Sequence, residues 1–513
     1  MNLRRVAALI AMVTALAVGF APPAAAASTG FTFVDIPGQD GVVLKANWIA
    51  PATAGKHPAV IFPSSWGLND AEYLAQAKAF AAGGYVVVSY TPRGWWGSGG
   101  DIDTAGPRDM ADLSRVIDWT IANTPTDPAR IGAAGVSYGA GISLLGSAFD
   151  TRIRAVGMLS GWTDLVYSLY GDQTRHRQSA GFLQLAAQLL GHPGPDLSGK
   201  LADFNADRNV DQVQAWAKVR SPASYVDQIN TNNPAVLIEN AWGDSFFPPD
   251  QLPGFFGKLT TPKRLELRPG DHAIAELTGL IGLPNAVWIS LRRWMDQYLG
   301  GVETGIGNEP PVRLNDAESY ASWAAMTSGT VRYSLGAPRL LDQTGRLGGA
   351  ASTGWTKRIP AGLDTTADGG IVLITNGIAA FTGQPPQIWL PTVDRTRAGV
   401  WASERPGSRL SIRGIPHVHL NLAGSPPSGT VVAYLYDLDL LGNARLITHE
   451  PVTWNSGSGV VDFDLSAAAY DVPPGHSLTL VVDSADPLYY DANNGGTITI
   501  GGGSYVDVPV QAG

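Results

Sequence analysis

Between Pro58 and Leu159 the chain alternates short, almost continuously apolar runs with segments of helical pattern. No other feature limits the fold as strongly. Runs at 59–62, 85–90, 130–136 and 155–159 lack the polar/apolar alternation of a half-exposed strand, so each predicts a strand covered on both faces. Between them, 70–82 reads as a helix capped by Asn69 or Asp70 and stopped by Gly83-Gly84. A second helix, 107–122, carries Pro107 near its start, and 138–148 is a third. Strands joined through helices run parallel, so the expected class is α/β. Residues 31–50 predict two short strands about a turn at 38–41. The rhythm breaks at 162–232, where apolar helical stretches such as 182–190 and a Pro/Gly-rich turn at 191–195 predict a helical cap over the sheet edge. It resumes with strands at 235–240 and 264–268 and a closing helix at 286–299.

A second boundary is expected where Gly and Pro cluster at 300–311, which places the α/β domain at 28–301. From 302 to 513 the pattern becomes one of short alternating runs between turn residues: 371–374, 409–412, 418–422, 431–436, 459–465 and 477–482. That predicts a β sandwich or jelly roll. A length of 513 residues exceeds one ordinary core and agrees with two domains. A formal net charge of −9 gives no basic footprint for nucleic acid. The absence of cysteine excludes disulfides, thiol catalysis and Cys-ligated zinc.

The N-terminus predicts export. Arg4 and Arg5 precede an apolar run from Val6 to Phe20, and Ala24 to Ala27 offer A-x-A cleavage registers. The run falls short of the roughly 20 residues needed to span a bilayer, so 1–27 reads as a secretory signal and the mature chain as extracellular, with no stable membrane span.

Gly135-Val-Ser-Tyr-Gly139 matches G-x-S-x-G where a predicted strand ends and a helix begins, as a nucleophile elbow requires. A serine hydroxyl needs a base to remove its proton, and the fold orders the partners Ser, acid, His. Asp244 in Trp242-Gly-Asp244 and His272 in Gly270-Asp-His272 each follow a predicted strand, so both fall beside the elbow at strand C-terminal ends. Asp250 and Asp271 are weaker candidates for the acid. The oxyanion formed on attack calls for the Tyr138 N–H and a second donor after the 59–62 strand. Pro63 has no N–H, which leaves Ser64, Ser65 or Trp66, and a backbone donor from Ser64 or Ser65 is expected.

These residues resemble the cocaine esterase and X-prolyl dipeptidyl peptidase family of serine hydrolases. The resemblance runs from about residue 32 to the C-terminus. It rests on Thr91-Pro-Arg-Gly94 with the glycine-rich run to Gly100, on Gly-Val-Ser-Tyr-Gly, Trp-Gly-Asp and Gly-Asp-His, and downstream on Ile412-Arg-Gly-Ile-Pro416 and Val431-Val-Ala-Tyr-Leu435. It implies an α/β-hydrolase fold with a C-terminal jelly roll, Ser137 as nucleophile, His272 as base and Asp244 as its orienting acid. One position departs. Family members such as cocaine esterase place a tyrosine that supports the oxyanion where this chain has Ser64, in Phe62-Pro-Ser64.

The expected activity is hydrolysis of an ester or amide in a small-molecule or peptide substrate, with no cofactor and no metal. X-prolyl dipeptidyl peptidase activity is the alternative, and it needs an anion for the substrate's amino terminus, for which Asp164, Asp172 and Glu239 are candidates. A non-enzymatic alternative is a carbohydrate-binding protein with a relic hydrolase domain. Trp66, Trp95, Trp96 and Trp162 are candidates for the substrate pocket. His417 and His419 share a strand face, which reads as packing or surface rather than a metal site without a third ligand. Asp437, Asp439 and Asn443 read as a hairpin turn rather than a calcium loop.

Overall fold

The computed structural model describes residues 28–511 apart from Ser456 and Ser458. The export signal expected at 1–27 lies outside the described residues. The first domain is built on a ten-stranded sheet of order β1-β2-β4-β3-β5-β6-β7-β8-β9-β10. Its strands are β1 (Thr32–Pro37), β2 (Val43–Ile49), β3 (His57–Pro63), β4 (Val86–Tyr90), β5 (Thr126–Val136), β6 (Ile153–Leu159), β7 (Ala235–Ala241), β8 (Lys263–Arg268), β9 (Val312–Leu314) and β10 (Glu318–Tyr320). From β4 across to β9 every pairing is parallel, and the margins β1–β2, β2–β4 and β9–β10 are antiparallel. Every residue of β4 and β7 is buried, as runs without alternation require.

Crossovers α1 (Leu74–Ala82), α2 (Pro107–Asn123) and α3 (Tyr138–Phe149) connect the early strands. Cap helices α4 (Leu165–Tyr170), α5 (Arg177–Leu190), α6 (Gly194–Asn205), α7 (Val210–Val219) and α8 (Val226–Asn232) fill the interruption, and α9 (Ala286–Met295) closes the domain. One apolar cluster joins α1 and α9 to one set of strand side chains, through Tyr73, Phe80, Trp288 and Trp294. A second cluster joins α2, α3 and the cap to the other set. Helix α1 begins four residues later than 70–82 implies. Asn69 Oδ1 accepts Ala71 N–H at 3.0 Å in a local turn rather than capping the helix.

The boundary expected at 301/302 falls between two paired strands of this sheet, β8 and β9. β9 and β10 come from beyond it, and Val312 and Leu314 are fully buried in the first domain's core. Three-residue strands are too short for periodicity to reveal.

The C-terminal region is all-β. Its thirteen strands form one hydrogen-bonded network, in which Thr497–Gln511 pairs with Gly329–Leu335, Thr356–Pro360, Leu410–Gly414 and His417–Asn421. Gly429–Leu438 is buried throughout, with Val431, Ala433 and Leu435 in one apolar cluster and Val432, Tyr434 and Tyr436 in another. The strand expected at 371–374 is instead a turn leading into α10 (Thr375–Thr382). Gly370, at φ 108°, breaks the extended path, and Thr375 Oγ1 accepts the Ile371 N–H at 2.8 Å. The domains pack directly: Arg177 N–H donates to Leu488 O at 2.8 Å and Asn376 Nδ2 donates to Gly243 O at 3.0 Å. Among the described residues no helix is long and apolar enough to cross a membrane.

Candidate active site

β5 delivers Ser137 to the sheet's C-terminal edge, and α3 starts at the next residue. Ser137 sits at φ 56°, ψ −115°, a conformation costly for a side-chain-bearing residue and held only because its surroundings fix it. The flanking glycines allow the turn. A Cβ on Gly139 would lie 2.1 Å from Pro63 O, and one on Gly135 would lie 2.6 Å from Gly139 C. Ser137 N–H donates to Leu159 O at 2.9 Å, which ties the elbow to β6.

His272 follows β8 and Asp244 follows β7. His272 Nε2 lies 2.8 Å from Ser137 Oγ and Nδ1 lies 3.0 Å from Asp244 Oδ2. With Asp244 ionised, Nδ1 carries the proton and Nε2 accepts from the serine hydroxyl. Asp244 Oδ1 takes the Phe246 and Phe247 N–H groups at 2.9 and 2.8 Å, so both its oxygens are engaged. The imidazole packs against both of those phenyl rings, at centroid distances of 4.7 and 5.1 Å. Burial alone favours the neutral ring. The charge and hydrogen bond of Asp244 outweigh it and hold His272 above the ordinary histidine value. Sequence reading did not single out Phe246 and Phe247; their adjacency to Asp244 is the signal that carried them.

The other acid candidates do not orient His272. Asp271 accepts from Ser245 N–H, Ser245 Oγ and the His272 backbone N–H at 2.8, 2.7 and 2.7 Å, and burial with the nearby Asp244 charge pushes it up to about 6. Asp250 is hydrogen-bonded by the Tyr167 hydroxyl. The oxyanion expectation is corrected as well. Ser64 N–H continues the ladder to Tyr90 O at 3.0 Å, and Ser64 Oγ turns to Leu68 O at 3.1 Å. Ser65 N–H is taken by Glu72 Oε2 at 2.7 Å. Among the described residues, the N–H groups of Tyr138 and Trp66 have no partner.

Ser137, Tyr138, Trp66 and Trp162 line one cleft, open to solvent and roofed by cap residues including Leu183 and Leu201. Trp95 and Trp96 do not line it. Trp95 is fully buried beneath Trp66, and Trp96 is 44% exposed with its Nε1 on Gly67 O. The three carboxylates considered for an amino terminus lie elsewhere. Asp164 caps α4 and shares a separate cavity with Asp172, and Glu239 pairs with Arg268 at 3.2 Å. His417 and His419 pair with Asp464 and Asp462, and among the described residues no side-chain group is arranged to hold a metal. Asp439 Oδ1 accepts Leu441 and Asn443 N–H in a hairpin turn.

A parallel sheet with helices on both faces, a serine on a strained strand-to-helix turn and an all-β domain behind it define a hydrolase of the α/β class. Residues 40–274 match the X-Pro dipeptidyl-peptidase (S15 family) model, and residues 304–501 match the X-Pro dipeptidyl-peptidase C-terminal non-catalytic domain. The chain is thus an S15-family hydrolase that carries that family's C-terminal domain. Solved structures share the fold over nearly all their length. An α-amino acid ester hydrolase is 18% identical at TM-score 0.70, covering 96% of this chain and 98% of its own. An aminopeptidase from a marine sediment Thaumarchaeota archaeon is 16% identical at TM-score 0.72, covering 96% and 99%. A CocE/NonD family hydrolase from Staphylococcus aureus is 14% identical at TM-score 0.70, covering 94% of each. Among curated proteins, the uncharacterized YcjY of Escherichia coli is 32% identical over 101 residues, which span 18% of this chain and 31% of that protein.

Proposed function

We propose that the chain is an exported serine hydrolase that cleaves an ester, and less readily an amide, through an acyl-enzyme on Ser137. The observation that carries this reading is the hydrogen-bonded line from Ser137 Oγ through His272 to Asp244, set on the elbow. Ser137 Oγ attacks the carbonyl carbon while its proton passes to His272 Nε2. Asp244 holds Nδ1–H and stabilises the imidazolium. The negative charge that develops on the carbonyl oxygen falls to the two free N–H groups, Tyr138 and Trp66. Nε2–H then protonates the leaving group, and water repeats the sequence on the acyl-enzyme. The Ser64 hydroxyl is turned away to Leu68 O, so no side chain there supplements the backbone donors. Esters react more readily than amides at such a site because an alkoxide is the better leaving group. X-prolyl dipeptidyl peptidase activity is the second reading, favoured by the S15 match.

A fluorophosphonate probe should label the folded protein and fail to label Ser137→Ala. Hydrolysis in Ser137→Ala and in His272→Ala should fall by at least about 10⁴-fold. Labelling that persists in Ser137→Ala would refute the nucleophile assignment. Export rests on the basic, apolar and Ala-rich order of residues 4–27. Mass spectrometry of protein from the native host should find a mature start between Ala26 and Ser28, and extracellular protein beginning at Met1 would contradict cleavage.

A further inference from the structure

The lining of the cleft beside Ser137 specifies more than a hydrolase. Four aromatic side chains that border it spend their polar atoms on the protein. Trp66 Nε1 donates to Leu183 O at 2.9 Å, Trp162 Nε1 to Arg220 O at 2.8 Å, Trp216 Nε1 to Asp196 Oδ2 at 2.9 Å and the Tyr138 hydroxyl to Asp109 Oδ2 at 2.6 Å. What these rings leave facing the cleft is carbon, joined by Leu183, Leu197 and Leu201 from the cap, and Gln184 adds one uncharged amide whose Oε1 accepts from Asn205 Nδ2 at 2.9 Å. Thr104 adds one buried hydroxyl without a partner among the described residues, which offers neutral hydrogen bonding only. No aspartate or glutamate borders the cleft among the described residues, and its one charged side chain is Lys200, which has no ion-pair partner among them.

An acyl group bound next to Ser137 therefore meets carbon, and an ammonium on its α-carbon would leave water for a site with no anion and a nearby cation. Burying an unpaired charge is strongly unfavourable, whereas apolar surface gains by entering such a cleft. The acidic groups that could answer an amino terminus are turned elsewhere. Asp164 and Asp172 share a different cavity, while Asp271 and Glu450 border one behind Asp244 that reaches neither Ser137 nor His272.

We infer that the cleft between the elbow and the cap is an acyl-binding site for an uncharged apolar acyl group, aromatic or branched aliphatic, and that it disfavours α-amino acyl groups. The inference rests on the proposed serine chemistry. It parts this chain from what the names of its structural neighbours, an α-amino acid ester hydrolase and an aminopeptidase, say of those proteins.

A matched pair of substrates tests it: the p-nitrophenyl esters of 3-phenylpropanoate and L-phenylalaninate, which differ only in the α-ammonium. At about pH 6, where the amine is protonated, kcat/KM should favour the phenylpropanoate ester by at least about 100-fold. Leu201→Trp, which fills the cleft, should slow that ester by about tenfold or more, and the loss should shrink as the acyl chain is shortened to acetate. Leu201→Phe serves the same test should the larger ring prevent folding. Equal or faster hydrolysis of the phenylalaninate ester, or rapid release of p-nitroaniline from Gly-Pro-p-nitroanilide, would overturn the acyl-site inference. So would an equal loss on acetate in both Leu201 variants. Fluorophosphonate labelling of the same samples separates the two readings. Protein labelled at Ser137 that prefers the amino ester defeats only the acyl site, whereas hydrolysis that survives in Ser137→Ala defeats the serine chemistry beneath it.

Discussion

Ser65 has one hydroxyl proton and two acceptors in reach: Glu72 Oε1 at 2.6 Å and Val136 O at 2.9 Å. Its N–H meets the other Glu72 oxygen. Every contact is satisfied when Glu72 is protonated, since Glu72 then donates to Ser65 Oγ and Ser65 donates to Val136 O, beside Ser137. Ionised Glu72 draws the Ser65 proton to itself and Val136 O loses it. Burial pushes Glu72 up to about 7 against the hydrogen bonds from Ser65. The titratable group facing it is Tyr73, whose hydroxyl accepts Val136 N–H and stays neutral, held well above its usual range by burial and the Glu72 charge. No cation pairs with Glu72 among the described residues. kcat should thus rise with pH as His272 loses its proton, at a value above that of an ordinary histidine, and fall again as Glu72 ionises. Glu72→Gln offers Ser65 Oγ an N–H and Ser65 N–H a carbonyl. It should remove the alkaline limb and keep the acid limb, while Glu72→Ala should lower kcat by about tenfold with KM nearly unchanged. An alkaline limb that survives in Glu72→Gln would count against the clamp.

At the scale of elements, the elbow works because α3 packs against β3 with no side chain between them. A Cβ on Gly139 would meet Pro63 O, which is backbone and cannot swing aside. Gly139→Ala should cost about 1–3 kcal/mol and displace the elbow, so that fluorophosphonate labelling slows along with a lower melting temperature. Gly181 is the control. It lies inside α5 with nothing within 4 Å of the added carbon, so Gly181→Ala should stabilise the chain by about 0.5–1 kcal/mol. If the two alanines behaved alike, close approach at the elbow would not be the cause.

Across the whole molecule, the second domain completes the first rather than hanging from it. Arg413, nearly buried in the all-β domain, reaches Glu318 of β10 with two hydrogen bonds of 2.8 and 3.0 Å. Thr174 meets Thr453 at 2.8 Å. Met326, Val372 and Leu488, all from beyond residue 302, lie in the same apolar cluster as the sheet. Calorimetry should show one unfolding transition, and two well-separated endotherms would argue against a shared core. Arg413→Met removes the pair to Glu318 and a second to Asp471 at 3.0 Å, and should cost at least about 2 kcal/mol without changing KM.

The alternation of buried strands and helices, and the strand-to-helix turn at Ser137, were legible in the sequence because each is local. Periodicity reports which faces a segment buries, and the G-x-S-x-G spacing reports a turn that only small neighbours allow. What the tertiary structure decided is which polar atoms remain free and which carbon faces substrate. Ser64 and Ser65 look like oxyanion donors until Tyr90 and Glu72 take their N–H groups, which leaves Trp66. Four tryptophans look alike in the chain, but Trp95 is sealed beneath Trp66, and Trp96 turns its indole to Gly67 O. Asp164, Asp172 and Glu239 lie near the right strands and still miss the cleft. β9, β10 and α10 escaped notice because their order comes from partners distant in sequence, β8 for β9 and Gly243 for Asn376. A hydrogen bond or a ring contact is settled by which groups meet in space, and a residue's type and place in the chain do not fix its partner.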